Sequence, residues 1–304
     1  MQKSPMSINL TTVADGEFLK KIEDDPQALV TAVPESVTRL ERLPIAEMPG
    51  GFHLAADVYY REKYPAKPRP ALIFMHDWAS GKQPVLSGNR QCAYLALKAN
   101  MLGVVLYYRQ PGDGHFPAAI EDLKCALRWL RSIAEDYAID PNRIIVMGSS
   151  AGTQWTWLAA ATSGLRDYNG VGGYDKFSSE VNLSIINSGI CDFVKDFGNR
   201  DIGQKVIGGT VDDMPERYHE ASPLNRFRAG MPPVIMIHGE LDQSCPLSSA
   251  KAACERLQQL GVPVELVVRP KCGHGIDGFG FNLGSHLDTA LAFVRRQWPD
   301  VGSG

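Results

Sequence analysis

The chain has no run of apolar residues long enough to cross a membrane as a helix, which excludes a helical membrane protein. Its opening segment, MQKSPMSINLTTVADGEFLKKIEDD, has no continuous apolar stretch and meets acidic residues early, so as it stands it is not a signal peptide. The expected location is the cytoplasm, or a secreted or periplasmic one if a leader precedes this sequence. Basic clusters are also missing. The 31 lysines and arginines are scattered, and 34 aspartates and glutamates leave a net charge of −3. Neither nucleic acid nor an anionic membrane is an expected partner.

Cysteine is sparse. Cys92, Cys125, Cys191, Cys245, Cys254 and Cys272 form no CxxC pair and no Cys/His spacing that suits zinc. Most are expected in the core as small apolar side chains. There is no internal repeat and no low-complexity segment. What is left is the composition of an ordinary soluble globular protein, 44% hydrophobic and 21% charged. Its 304 residues suffice for one large domain or two small ones with a sizeable core.

From residue 36 onward, strand and helix patterns alternate. Two early strands near 36–47 and 52–62 read as an antiparallel hairpin turning at Pro49-Gly50-Gly51. PALIFMHD and LGVVLYYR are short apolar runs without polar alternation, as expected of strands buried on both faces. NRQCAYLALKAN is helical. PAAIEDLKCALRWLRSIAEDYAI is the strongest helix, with Pro117 near its start and Ile120, Leu123, Ala126, Leu127 and Leu130 on one face. RIIVMGSS, VNLSIINSG, PPVIMIHGE and VPVELVVRP are further strands. AGTQWTWLAAAT, LSSAKAACERLQQLG and HLDTALAFVRRQW are further helices. This order predicts an α/β protein with a mostly parallel sheet covered on both faces.

Catalytic groups in such a sheet sit beyond the carboxyl ends of the strands. Gly148-Ser149-Ser150-Ala151-Gly152 lies at one of those ends and opens a helix. G-x-S-x-G there predicts a tight strand-to-helix turn with Ser150 as nucleophile and Ser149 at the x position. A serine hydroxyl needs a base, and the base an orienting acid. Asp242 follows the strand VIMIHG and His274 follows VELVVRP, so the order Ser, Asp, His is met on consecutive strands. Glu240 is a rival acid nearer the strand end. His238 is expected to pack or hydrogen-bond locally, and His286 to open the last helix. His53, His115 and His219 miss the required loop, and Asp192 and Asp277 read as loop or helix-cap residues. The backbone N–H of Ala151 and one from the loop around Asp77 and Trp78 are the expected oxyanion donors.

Taken together, these stretches resemble the α/β-hydrolase fold esterases, most of all the bacterial acetyl-xylan and feruloyl esterase-like group and its hormone-sensitive-lipase-like relatives. The likeness runs from YYRQPGDGHFPAAIEDLKCALRWLRSIAEDYAIDPNRIIVMGSSAGTQW through IHGELDQSCP to PKCGHG, within about residues 36 to 298. It implies an α/β-hydrolase fold and a catalytic domain over 35–304 with 164–225 partly a cap-like insertion. Residues 1–34, polar with a weak helical pattern in GEFLKKIEDDPQALV, read from their own sequence as an N-terminal arm or cap. Arg109 and Asp122 are structural by the resemblance. The activity it implies is serine carboxylic-ester hydrolysis of short-acyl or aromatic-acyl esters, down to acetyl or feruloyl groups on plant polysaccharide. A small-molecule or carbohydrate ester is then the partner, no metal or organic cofactor is expected, and a homo-oligomer is left open. The alternatives are a peptidase or amidase of the prolyl-oligopeptidase-like type and a non-catalytic ligand-binding protein.

The chain departs from that group in three places, the first being residues 1–34, which lack a clear counterpart there. His76-Asp77-Trp78-Ala79-Ser80-Gly81 stands where His-Gly-Gly is usual, and Trp78 either narrows the acyl pocket or turns into the core. Cys245 and Cys272 occupy the acid and histidine loops, where a disulfide and two free thiols are both open.

Overall fold

Strands without polar alternation need cover on both faces, and the chain supplies it. The computed structural model describes residues 10–24, 32–62, 67–78, 84–198, 200–274 and 283–302. The chain begins with β1 (Thr11–Val13), α1 (Asp15–Asp24), β2 (Ala32–Pro34), β3 (Thr38–Met48) and β4 (Phe52–Tyr60). There follow β5 (Arg69–Met75), α2 (Pro84–Ala99), β6 (Leu102–Tyr107), α3 (Ala118–Ser132), β7 (Ile139–Ser149) and α4 (Thr153–Ala161). Next come β8 (Leu183–Asn187) and three short helices, α5 (Phe193–Phe197), α6 (Asp201–Ile207) and α7 (Pro215–Ala221). The end is β9 (Val234–Gly239), α8 (Leu247–Gln259), β10 (Val264–Arg269) and α9 (Leu283–Gln297).

Eight strands form one sheet in the order β10-β9-β8-β7-β5-β6-β4-β3. The neighbours from β10 to β6 pair in parallel, and the hairpin β3–β4 joins antiparallel through β4 and β6. Alternate residues of each strand face opposite cores. Ile73, Val104, Ile144 and Val146 pack with Leu123, Leu127 and Leu158 beneath α3 and α4. Leu72, Phe74, Val105, Ile145 and Ile235 pack with Leu95, Leu287 and Leu291 beneath α2 and α9. Among the described residues no helix is long and apolar enough to cross a membrane.

The N-terminal segment joins the second core. Phe18 and Ile22 of α1 are fully buried, and β1 and β2 pair in parallel as a separate two-stranded sheet. Asn89 Nδ2 donates to the Ala32 carbonyl at 2.8 Å, which fixes β2 to α2.

The helix expected over 117–139 stops at Ser132. Ala138 is in the left-handed region (φ 50°), and β7 begins at Ile139, whose partner is Arg69 at the start of β5. The chain must leave the helix early to enter the sheet there. The polar positions of α3 have a second use. Lys124 Nζ donates to the carbonyls of Thr162 and Leu165, both at 3.0 Å. Arg128 reaches those of Gly173 (3.0 Å) and Asn169 (2.9 Å), and Arg131 that of Ser178 (2.9 Å). Spacings of four and three put these cations on one helix face. They hold residues 162–182, a segment without helix or strand, against the body of the protein.

Arg109, just after β6, is tied to Asp122 of α3. Its backbone N–H and its Nη2 each reach a carboxylate oxygen at 2.7 Å, with the side chains 5% and 0% exposed. Burial pushes the Asp122 pKa up against the pull of Arg109, so an unpartnered charge at either end is costly. Asp122→Ala is expected to lower unfolding free energy by about 3 to 5 kcal/mol, because it strands a buried guanidinium. Urea unfolding of this variant and of Arg109→Met/Asp122→Leu checks it: the double variant should recover most of the loss.

Candidate active site

β7 hands the chain to α4 through a single 3-10 turn, Ser150–Gly152. Ser150 has φ 51°, in the left-handed region that non-glycine residues seldom occupy. The glycines on either side are there because nothing larger fits. A Cβ on Gly148 would stand 2.8 Å from Thr153 Cα and would clash with Thr156 Oγ1. One on Gly152 would run into the Met75 carbonyl and stand 2.5 Å from that of His76. The turn is tied down by Thr153 Oγ1, which donates to the Ser150 carbonyl at 2.5 Å. Ser149, the x position, ends β7 in extended backbone, paired with Asn187.

The loops after β9 and β10 lie against each other. Leu241 N–H donates to the Cys272 carbonyl at 2.8 Å, and Glu240 N–H to that of Arg269 at 2.9 Å. This contact brings Asp242 and His274 together and carries His274 to the turn. His274 Nδ1 is 2.9 and 3.0 Å from the two Asp242 oxygens, and its Nε2 is 2.8 Å from Ser150 Oγ. A carboxylate only accepts, so Nδ1 carries the proton and Nε2 presents its lone pair to the hydroxyl.

Asp242 is fully buried at its side chain, whereas His274 is 26% exposed there. Burial alone would raise the Asp242 pKa. His274, the Cys245 N–H (2.8 Å) and the nearby His238 outweigh it and hold the carboxyl below its ordinary value. Ser244 N–H donates to the same oxygen at 2.9 Å. His238 sits under this acid, with Nε2 2.7 Å from the Cys245 carbonyl and 3.5 Å from Asp242 Oδ2. Its pKa is lowered, chiefly by burial. Its place at the end of β9, two residues before the acid loop, was the only sequence signal for that contact.

The other sequence candidates lie elsewhere. Glu240 is exposed and accepts the Lys271 N–H at 3.0 Å. His53, His115 and His219 are exposed, and His286 is buried in α9. Asp192 caps α5 by accepting from Lys195 N–H at 3.1 Å. Asp277 lies outside the described residues, as do Ala79, Ser80 and Gly81 of the loop after β5. Cys245 and Cys272 are both buried, and no disulfide joins them. Among the described residues no group of three or more His, Cys, Asp or Glu side chains is arranged to hold a metal ion.

The expected oxyanion residues adjoin the turn. Ala151 follows Ser150 and is 3% exposed, while Asp77 and Trp78 follow the end of β5. Trp78 takes the inward of its two expected courses. Its indole is 6% exposed, packs near Trp155 (6.4 Å between centroids) and Phe197 (6.2 Å), and donates Nε1–H to the Ala151 carbonyl at 2.8 Å. An indole held in this way is not an open wall of an acyl pocket. The sequence held no signal for this bond, because a tryptophan donor takes whichever acceptor the fold brings within reach. His76, also at the end of β5, is buried beside Tyr108, whose hydroxyl donates to the His76 carbonyl at 2.7 Å.

Residues 56–257 match the family model described as BD-FAE. The chain belongs to the BD-FAE family. It is 29% identical over 237 residues to Esterase LipC of Mycobacterium tuberculosis (strain ATCC 25618 / H37Rv), covering 73% of this chain and 56% of that protein. Carboxylesterase NlhH of the same strain is 28% identical over 261 residues, 79% of this chain and 77% of its own. The chain spans about half the length of the first curated relatives it matches, LipC (56%), LipM (44%) and LipQ (56%). Among solved structures, propionate-bound Est2, a thermophilic esterase of Thermogutta terrifontis, superposes with a TM-score of 0.70 at 25% identity, over 85% of this chain and 94% of that one. A truncated carbohydrate esterase from gut microbiota shares the fold with a TM-score of 0.75 at 21% identity, over 86% and 96%. The fold is that of the α/β-hydrolase esterases, as the sequence led us to expect.

The buried His76 has a consequence for stability. Burial pushes its pKa from an ordinary 6.5 down to about 4. The unfolded chain therefore takes up a proton near pH 6.5 that the folded protein refuses until about pH 4. The contribution of His76 to stability is expected to fall across that window by about 3 kcal/mol and to level off below it. His76→Gln should flatten this part of the curve. Urea midpoints at pH 7, 5.5 and 4 test it, and equal slopes in the two proteins would contradict it.

Proposed function

We propose that this protein is a serine esterase in which Ser150 attacks, His274 moves the proton and Asp242 orients the imidazole. The observation that carries the reading is the continuous hydrogen-bonded line Ser150 Oγ, His274 Nε2, His274 Nδ1, Asp242 at the carboxyl ends of the strands. In this scheme Ser150 Oγ adds to the ester carbonyl and its proton passes to His274 Nε2. The carbonyl oxygen becomes an oxyanion, received by the Ala151 N–H and by an N–H of Asp77 or Trp78. Collapse expels the alcohol, which takes the proton from His274 and leaves an acyl group on Ser150. A water molecule, deprotonated by His274, then releases the acid. A buried, depressed Asp242 remains a carboxylate throughout and stabilises the imidazolium between these steps.

The favoured substrates are short-acyl or aromatic-acyl esters, including acetyl or feruloyl groups on plant polysaccharide. A short acyl group is supported by the propionate in the related Est2 structure. The carbohydrate part rests on the resemblance of the motifs. A peptidase or amidase is the second reading, favoured by 29% identity over 161 residues to the uncharacterized peptidase YtmA of Bacillus subtilis (strain 168).

Rates on p-nitrophenyl acetate through octanoate, acetylated xylan, methyl ferulate and aminoacyl anilides separate these readings. Esters should be turned over and anilides hardly at all; faster anilide cleavage would overturn the ester assignment. Ser150→Ala should lower ester turnover by about 10⁴- to 10⁶-fold, whereas Ser149→Ala should keep most of it. A fluorophosphonate probe should label the wild type at Ser150 and leave Ser150→Ala unlabelled.

A further inference from the structure

We propose that Trp78 is a positioning residue of the oxyanion site, a side-chain brace that holds the loop after β5 at a set distance from the turn at Ser150. The proposal rests on the esterase reading above.

Two peptide segments must supply the oxyanion donors, and they come from different strands. One is Ala151 in the turn after β7, and the other is the Asp77–Trp78 stretch after β5. Nothing covalent sets the gap between them. Donors that serve a developing charge must stand in place before it forms, and an error near 1 Å costs orders of magnitude in rate. The structure offers three constraints on this gap. Gly152 abuts the carbonyls of Met75 and His76, which sets the closest approach. The Tyr108 hydroxyl holds the His76 carbonyl at 2.7 Å from the far side. The third is the Trp78 Nε1–H bond to the Ala151 carbonyl, 2.8 Å and buried, which stops the two segments from drifting apart.

The bond has features that suit it to this task. Its acceptor belongs to Ala151, whose own N–H is the proposed donor, so fixing the carbonyl fixes the residue. Its donor ring is held by Trp155 and Phe197, so the indole cannot swing away without opening the core. A loop built on glycines, as in the group this chain resembles, is shaped by backbone alone. Here Asp77 and Trp78 replace that with a strut.

The test is loss of the N–H with retention of the ring. Trp78→Phe keeps most of the packing. Replacing Trp78 by benzothienylalanine keeps the bicyclic shape with sulfur in place of N–H, and it reads the bond if the phenyl variant folds poorly. With p-nitrophenyl acetate we expect kcat to fall about 10- to 100-fold, less than the roughly 10²- to 10³-fold for deleting a donor outright, while KM stays within about twofold. The affinity of a trifluoromethyl ketone, which forms a tetrahedral oxyanion adduct, should fall by the same factor as kcat/KM. A ground-state loss does not produce that match. The proposal is overturned if kcat is unchanged, if KM alone rises, or if kcat falls while ketone affinity holds. The esterase reading fails separately, through full activity of Ser150→Ala, whatever the Trp78 variants do.

Discussion

Everything in this molecule that resembles chemistry depends on one sharp reversal of the backbone, the passage from β7 into α4 through Ser150. A left-handed serine is a strained conformation of order 1 kcal/mol or more, and it persists only where its surroundings leave no alternative. Here they leave none. Gly148 lies against the first turn of α4, Gly152 lies against the end of β5, and the Ser150 carbonyl is held by the Thr153 hydroxyl. The strain lifts the hydroxyl clear of the sheet while Gly148, Ala151 and Gly152 stay buried.

The sheet turns sequence separation into contact. Ser150 and His274 are 124 positions apart in the chain and 2.8 Å apart in space. The strand order places β5 on one side of β7 and β8, β9 and β10 on the other. Loops at the carboxyl ends of the last two strands must bend back over β8 to reach the turn. They do so as a pair, joined by main-chain hydrogen bonds at Glu240 and Leu241. Electrostatics follows from the same geometry, because an acid buried between two loops can be ionised only if those loops donate to it. Ser244, Cys245 and His274 all do.

The parts of this arrangement that could be read from the sequence are those in which one residue type answers one physical need. Strands buried on both faces must be apolar throughout, so PALIFMHD and RIIVMGSS announced themselves. Glycine flanks Ser150 because carbonyls and a helix fill the space, and that need leaves a spacing in the sequence. Asp242 and His274 were visible because each follows a strand in the right order. The Trp78 contact was not visible, since an indole donor has no preferred partner until the fold supplies one. The early end of α3 was hidden too, because EDYAI continues a helical pattern and only pairing of Ile139 with Arg69 breaks it. Lys124, Arg128 and Arg131 look in sequence like the wet side of an amphipathic helix, yet all three are buried.

Those three cations have a consequence of another kind. All but one of their hydrogen-bond partners in residues 162–182 are main-chain oxygens, which every amino acid carries whatever its side chain; the exception is Asn182 Oδ1, 3.4 Å from Arg131 Nη2. The grip of α3 on this segment thus depends little on the side chains written there, apart from Asn182 and the positive-φ glycines Gly170, Gly172 and Gly173. Leu165, Val171 and Phe177 project outward from it and can be exchanged for other residues without loosening the anchorage. The protein keeps a surface beside its sheet that is anchored through its backbone and open to change at these outward side chains, a place where new contacts can be tried while the machinery below is left alone.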